Sequence, residues 1–101
     1  MNNREELQKL LIKLNGNSNV YYQPPETIKI KYPAIIYHKD YIKTDKADNS
    51  KYLKHVRYKV TVVNALPDSE VIDKILELPN SSFDRHYTSN NMNHDVIILY
   101  Y

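Results

Sequence analysis

The chain of 101 residues contains no cysteine and no tryptophan, and only one glycine and one phenylalanine. Without cysteine, the protein has no disulfide bonds, no thiol catalysis and no cysteine-ligated zinc, and it is compatible with a reducing compartment. A single glycine excludes the glycine-rich loops that cradle phosphates, because each such loop needs several glycines. These absences remove thiol chemistry and phosphate-loop chemistry from the possible functions.

Long apolar runs are also missing. The mean hydropathy is −0.64, and the longest apolar run, residues 96–101, has six residues. A membrane-spanning helix needs about 20 apolar residues, so we expect no membrane partner. No apolar segment follows the polar residues 1–6, so we also expect no secretory signal. The length predicts one domain, residues 1–101.

Tyrosine is the one aromatic residue in excess, with ten of the eleven aromatic positions. Its ring is apolar and its hydroxyl is polar, so tyrosine suits half-buried surfaces and subunit interfaces better than a dry core. Tyr52 lies in a predicted strand, and Tyr100 and Tyr101 end the chain. We therefore expect these three tyrosines to lie at contacts between copies or with a partner.

The charge is unevenly distributed along the chain. Residues 29–59 contain nine basic and three acidic residues, a net charge of +6, whereas the rest has five basic and nine acidic residues, a net charge of −4. Such a segment indicates either a solvated strand edge guarded by lysines or a surface for an acidic partner. The candidate interaction residues of this basic region are Lys43, Lys46, Lys51, Lys54 and Arg57.

Hydrophobic periodicity predicts two helices. Leucines at positions 7, 10, 11 and 14 fall on one face of a helix over residues 4–14, and Gly16 can end it with a positive φ. Asp68 or Ser69 can cap a second helix, whose apolar positions run to Leu78 and which Pro79 ends.

The remaining segments predict strands. They are residues 20–22, a possible strand at 27–32, 34–37 continuing towards 42, 52–63, 82–88 and 95–101, with a polar turn at 89–93 and a long polar loop at about 43–51. In residues 56–62, apolar and polar side chains alternate, which is typical of a half-buried strand. The order predicts an α+β fold: a two-layer sandwich with both helices on one face of a mostly antiparallel sheet of 4–6 strands.

Histidines beside carboxylates are the one arrangement that suggests catalysis or metal binding. His86 follows Asp84 by two residues, and His94 precedes Asp95. Two histidines and a carboxylate can hold a metal, so a metal-dependent enzyme using His86, His94 and Asp84 is one alternative. However, alternation along a strand places Asp84 and His86 on one face as a simple structural pair. No nucleophile motif is present, and we predict no catalytic, cofactor or metal site.

Tyrosines interleaved with lysines suggest a second alternative, a small basic nucleic-acid-binding module centred on Lys43, Lys46, Lys51 and Lys54. Single-strand binders combine aromatic platforms with basic grooves. The same tyrosines are equally well explained by packing across strands. Lysine outnumbers arginine eleven to three, which weakens the case for bidentate recognition of phosphates.

Three segments together resemble a known family. They are residues 22–37, which contain Tyr-Gln-Pro-Pro and Tyr-Pro-Ala-Ile-Ile-Tyr, residues 58–63, and residues 78–96, which contain Ser-Phe-Asp-Arg-His-Tyr-Thr and Asn-His-Asp-Val. The pattern is similar to the small neck or tail-completion proteins encoded in the head–tail module of tailed bacteriophages, and it covers nearly the whole chain.

The resemblance implies a tail terminator or head–tail joining protein with a small α+β fold. Such proteins form a ring, usually hexameric, that caps the tail tube and contacts the head connector. DNA passing through the ring is a further candidate partner. The location implied is the head–tail junction of the virion, and the host cytoplasm during assembly. No catalytic residue or cofactor comes with the family. The motif residues it points to as interacting or structural are Phe83, Asp84, Arg85, His86, Tyr87, His94 and Asp95.

Overall fold

The computed structural model describes residues 3–46 and 52–101, with the side chains of residues 4–42 and 55–101. In these residues, two helices and five strands follow in the order α1 (Asn3–Asn15), β1 (Val20–Tyr22), β2 (Ala34–Lys46), β3 (Tyr52–Asn64), α2 (Glu70–Leu76), β4 (Ser81–Ser89) and β5 (Met92–Tyr100). The strands form one sheet in the order β1-β2-β3-β5-β4. The pairing of β1 with β2 is parallel and the other pairings are antiparallel. The predicted α+β architecture is confirmed.

Helix α1 forms where the leucine spacing predicts it. Leu7 and Leu11 are fully buried against the sheet, and Leu14 packs at the margin of the same cluster. At the C-terminal end, Gly16 has φ of 79°, and its N–H donates to the carbonyl of Ile12 at 3.0 Å. The left-handed glycine therefore satisfies a terminal carbonyl and ends the helix, as expected.

The core lies between the helices and one face of the sheet, called here the helix face. The register places alternate residues of β2, β3 and β5 side by side on this face, in rows such as Ile35–Val62 and Tyr37–Val60–Ile97. Ile75 of α2 packs against this cluster from the helix layer and is fully buried. Alternation in β3 is thus confirmed as the pattern of a half-buried strand.

Two tyrosines belong to this core, which differs from the expectation that tyrosines avoid dry interiors. Tyr37 is fully buried and Tyr58 nearly so, with their ring centroids 6.0 Å apart. The Tyr37 hydroxyl donates to Oε1 of Gln8 on α1, so its polar end is satisfied inside the core. Burial raises the pKa of both tyrosines above the usual value of 10.0.

Strand limits differ from the predicted ones at three places. The last strand begins at Met92 and not at residue 95, so the predicted polar turn at 89–93 is shorter. Residues 27–32 form bends and turns instead of the possible strand, and they lead into Pro33, which cannot donate to a strand ladder. The predicted polar loop at 43–51 begins later, because β2 continues to Lys46 and pairs there with Tyr52. Cross-strand backbone pairing thus overrides the polar composition of residues 43–46, while residues 47–51 lie outside the described residues.

Helix α2 and the last hairpin follow local signals. The Ser69 hydroxyl accepts from the N–H of Val71 at 3.2 Å, so Ser69 and not Asp68 is the cap. The helix ends at Leu76, earlier than predicted, with Glu77 as its C-cap in helical backbone; Pro79 disfavours helical backbone only at the preceding residue, Leu78. Asn90 and Asn91, with φ of 53° and 63°, form a two-residue turn between β4 and β5.

Leu11→Ala should lower the free energy of unfolding by about 2–5 kcal/mol, because the truncated side chain leaves a cavity in a fully buried cluster. Urea unfolding followed by circular dichroism measures the change. Lys13→Ala on the exposed side of the same helix is the control, with an expected change within about 0.5 kcal/mol. Equal effects of the two substitutions would contradict the placement of α1 on the sheet.

Candidate interaction surface

The β2–β3 hairpin contains a bulge near its middle. The pairing changes from Lys39 opposite Tyr58 to Tyr41 opposite Arg57, which leaves Asp40 as an extra residue in β2. A bulge bends its strand and changes which face the following side chains occupy. Tyr41 therefore shares a face with Arg57, although strict alternation from Tyr37 would place it on the helix face.

An ion pair joins the two strands at this bulge. Arg57 Nη2 donates to Asp40 Oδ1 at 2.9 Å, and the Asp40 side chain is only 15% exposed. The guanidinium carbon of Arg57 lies 5.1 Å from the ring centroid of Tyr41. The hydrogen bond from Arg57 holds the pKa of the Asp40 carboxyl below its usual value of 3.8. Arg57 therefore fixes the bulge by charge, hydrogen bonding and ring contact together.

Beyond the bulge, β2 and β3 continue as a two-stranded hairpin that has no pairing with β1 or β5 within the described residues. Strand β5 pairs with β3 only from Arg57 onward, and β1 pairs with β2 only at residues 35–37. We call residues 41–46 and 52–56 the hairpin arm; at about 3.3 Å per residue its longer strand extends roughly 20 Å. The chain measures 52 × 26 × 22 Å, and its radius of gyration is 14.7 Å, against about 13 Å for a compact domain of this length.

The face of the sheet opposite the helices, called here the open face, has no helix over it among the described residues. Its centre is apolar, with Ile36, Thr61 and Ile98 half-buried, while Ala34, Val63 and Val96 lie on the same face by register and are buried. Around this centre the register places basic and aromatic side chains, namely Tyr21, His38, Tyr41, Arg57, Lys59, Arg85, Tyr87, His94 and Tyr100. An apolar centre with an aromatic and polar rim is typical of contact surfaces.

A shallow groove of about 250 Å³ crosses the open face. His38, Lys59 and Arg85 line it together with Asp84 and Tyr87. Arg85 Nε donates to Asp84 Oδ2 at 3.3 Å, and this pair is largely solvent-exposed. Asp84 is the carboxylate among the lining residues, and the nearby Asp40 also interacts electrostatically with Lys59 and His38.

Strand β4 contains residues 83–87, the larger part of the candidate motif, and forms one edge of the sheet. Every residue from Ser82 to Ser89 is exposed, including Phe83 and Tyr87. A second bulge lies here, since Phe83 is opposite Ile97 while Arg85 is opposite Val96, with Asp84 as the extra residue. Asp84 therefore lies in the groove of the open face, whereas His86 lies on the helix face. The prediction that Asp84 and His86 share a face is wrong.

The histidines of the motif pair separately. His86 Nδ1 lies 2.7 Å from Oδ1 of Asp95, which is buried at the start of the core row of β5. His94 stacks on Tyr87 across the strands, with centroids 4.7 Å apart and planes at 14°. Within residues 3–46 and 52–101, no group of three potential metal ligands converges. The two histidines thus contact different partners on opposite faces.

The predicted interaction residues do not form one site. By register, Lys43, Lys46 and Lys54 lie on the arm. The side chains of these lysines and of Tyr52 are not among those that the structure describes, and Lys51 lies outside the described residues. Arg57 lies at the base of the arm next to Tyr100. The Tyr101 N–H donates to the Val56 carbonyl at 3.1 Å, so the C-terminus also reaches this base. The motif residues lie on β4 and β5, away from the arm.

Sequence reasoning missed Asp40 and Tyr41. A signal was present, because His38, Lys39 and Asp40 interrupt an otherwise apolar run from Ala34 to Ile42. Such a polar break is compatible with either a turn or a bulge, and only the pairing with β3 distinguishes the two.

Asp40→Asn should lower stability at neutral pH and change its pH dependence. A carboxyl whose folded pKa is depressed stabilises the protein above its unfolded pKa of about 3.9, and this stabilisation disappears as the pH falls through the lower folded value. The difference between wild type and variant should therefore be present at pH 7 and shrink below about pH 4. Urea midpoints measured across this range test the expectation.

Asp84→Asn serves as the matched control, since its ion pair with Arg85 is longer and largely exposed. We expect Asp84→Asn to change the midpoints less than Asp40→Asn does. A difference for Asp40→Asn that stays constant from pH 7 to pH 3 would show that the charge of the Asp40 carboxylate contributes nothing to folding.

Comparison with known proteins gives no match, either to a protein-family model or to a curated protein. In the part of the chain that the structure describes, no helix is long and apolar enough to cross a membrane. The function of the chain is therefore inferred from its own residues and geometry, together with the motif resemblance.

Proposed function

We propose that the chain is a structural subunit of the phage head–tail junction, a tail terminator or connector that assembles into a ring, caps the tail tube and joins it to the head. The observation that carries the proposal is the hairpin arm, which projects from a small sheet whose open face has no helix over it. In this proposal the chain has no catalytic residue and no cofactor, and its histidines have structural roles.

The arm is poorly stabilised within one chain. A two-stranded hairpin is marginal in water unless a third strand or another element packs on it. Tyr41 and Ile42 at the start of the arm are 51% and 37% exposed. A second molecule that covered them would stabilise the arm, so the arm favours an assembled state.

The surfaces of the chain also differ from one another, as a ring requires. The arm leaves one end of the sheet, and the basic segment 29–59 contains all of it. Contact between two different surfaces is heterologous and closes into a ring when the rotation permits. Repeated copies of the +6 segment would form a basic annulus, which suits an acidic partner ring or DNA passing through.

Ile42→Glu should abolish ring formation and binding to the tail tube, because it places a carboxylate in an apolar part of the arm. The side chain is 37% exposed, so folding should be retained. Native mass spectrometry of the chain alone, and negative-stain microscopy with the tail-tube protein of the same phage, measure assembly.

Ile28→Glu is the matched control, since Ile28 is 44% exposed and lies outside the arm. It should assemble like the wild type. A wild-type chain that remains monomeric both alone and with tail tubes would refute the proposed function.

A second candidate function, a basic nucleic-acid-binding module, is favoured by the groove that His38, Lys59 and Arg85 line on the open face. It predicts binding to DNA that weakens steeply with salt. Lys59→Glu should reduce the slope of log affinity against log salt by about 1. Fluorescence anisotropy with single- and double-stranded DNA measures this change.

Lys9→Glu on the exposed side of α1 has the same charge change on the other layer and should leave binding unaltered. No binding at low salt, or equal effects of the two variants, would eliminate the nucleic-acid module.

A further inference from the structure

Two unpaired strand stretches of the sheet have the same length. Strand β4 ends the strand order, and its nine residues pair only with β5. Of the thirteen residues of β2, Ala34 precedes the three that pair with β1, which leaves nine, residues 38–46, with no strand on the outer side in the described part of the chain. The short strand β1 ends the strand order on this side, and a shorter stretch, residues 52–55 of β3, has no β5 partner either.

The β4 edge contains no lysine, whereas residues 38–46 of β2 contain three, and lysines are a common protection of strand edges against strand addition. Proline is absent from both segments, and Phe83 and Tyr87 on β4 and Tyr41 and Ile42 on β2 are exposed. Each free edge presents a row of N–H and C=O groups that another strand can pair with. Each edge has one bulge, at Asp84 and at Asp40, and the nine-residue length remains on both sides.

Charge and geometry select which edges meet. Residues 38–46 contain three lysines and two aspartates, and the wider segment is strongly basic, so two arms would repel each other. Strand β4 contains one aspartate, one arginine and one histidine and has no such barrier. Pairing β4 with β4 would make a closed dimer and leave both arms bare, whereas pairing β4 with β2 uses both edges in every copy.

We propose that β4 of one copy pairs along its backbone with residues 38–46 of β2 in the next copy, so that the sheets join head to tail. The inference rests on the ring assembly of the proposed function and names its subunit contact. The joined sheet gives the arm the third strand that it lacks within one chain. The exposed aromatic and aliphatic side chains of the two edges then become cross-strand neighbours.

The absence of cysteine makes a direct cross-linking test clean. Single-cysteine variants on β4 (Ser82→Cys, Thr88→Cys) are mixed with differently tagged variants on β2 (Lys39→Cys, Ile42→Cys) and treated with a short bismaleimide. All four side chains are exposed, so folding should be unaffected. Lys13→Cys on α1, also exposed, replaces the β2 partner as the control.

Adducts between β4 and β2 should exceed the β4–α1 adducts by about tenfold, since pairing raises the local concentration of the two thiols. Adducts no more abundant than the control, or adducts mainly between two β4 strands, would overturn the head-to-tail pairing.

A cysteine-free variant gives an independent reading. Ser82→Lys with Thr88→Lys adds charge to the free edge of β4 and should prevent self-association in native mass spectrometry. Ser18→Lys with Leu66→Lys adds the same charge at exposed positions outside both edges and should not. A ring that forms despite the edge lysines overturns the pairing but leaves the proposed function standing. Cross-linked edges in a chain that does not bind tail tubes support the pairing and count against the junction role.

Discussion

Strand β3 is the element on which the rest of the structure depends. It pairs with β2 on one side and with β5 on the other, and its side chains Tyr58, Val60 and Val62 form the middle of the core. Both helices pack on the face that these residues define. Because hydrophobic burial is the main favourable term in folding, the one-sided pattern of β3 decides which face of the sheet is covered and which is left open.

The same strand explains why the arm has a fixed direction although it lacks a third strand. Arg57 is the first residue of β3, in chain order, that pairs with β5, and it contacts Asp40 and Tyr41 of β2. The well-packed body therefore ends at a hydrogen-bonded bulge, and the arm starts there. A weakly stabilised segment anchored on a rigid base is suited to ordering on contact with a partner.

The sequence predicts best those features that depend on neighbouring residues. The leucine spacing of α1, the positive φ of Gly16 and the capping by Ser69 all follow from local rules, and the structure confirms them. The burial of Tyr37 depends instead on Gln8, 29 residues away, whose Oε1 accepts the hydrogen bond from the Tyr37 hydroxyl. Such long-range satisfaction of a polar atom leaves no local pattern to read.

Bulges are the main reason why the candidate surface was less predictable than the fold. Asp40 and Asp84 each add one residue to a strand, and each changes the face of every residue that follows. As a result, Asp84 and His86 lie on opposite faces of the sheet, and Tyr41 lies on the open face instead of in the core. The pairing of His86 with Asp95 also needs the register of two strands, which composition does not supply.

Because of the bulge at Asp40, the length of the arm and the faces that its side chains occupy can change independently in evolution. Adding residues in matched pairs beyond Tyr41 and before Val56 would lengthen the reach of the arm while preserving which side of it faces which neighbour. Deletion of the single extra residue at Asp40 would move every side chain of the β2 part of the arm to the opposite face, while the length of the arm would stay almost unchanged. A change in arm length therefore preserves the existing contacts of each side of the arm, whereas a change at the bulge would require a new set of contacts at once.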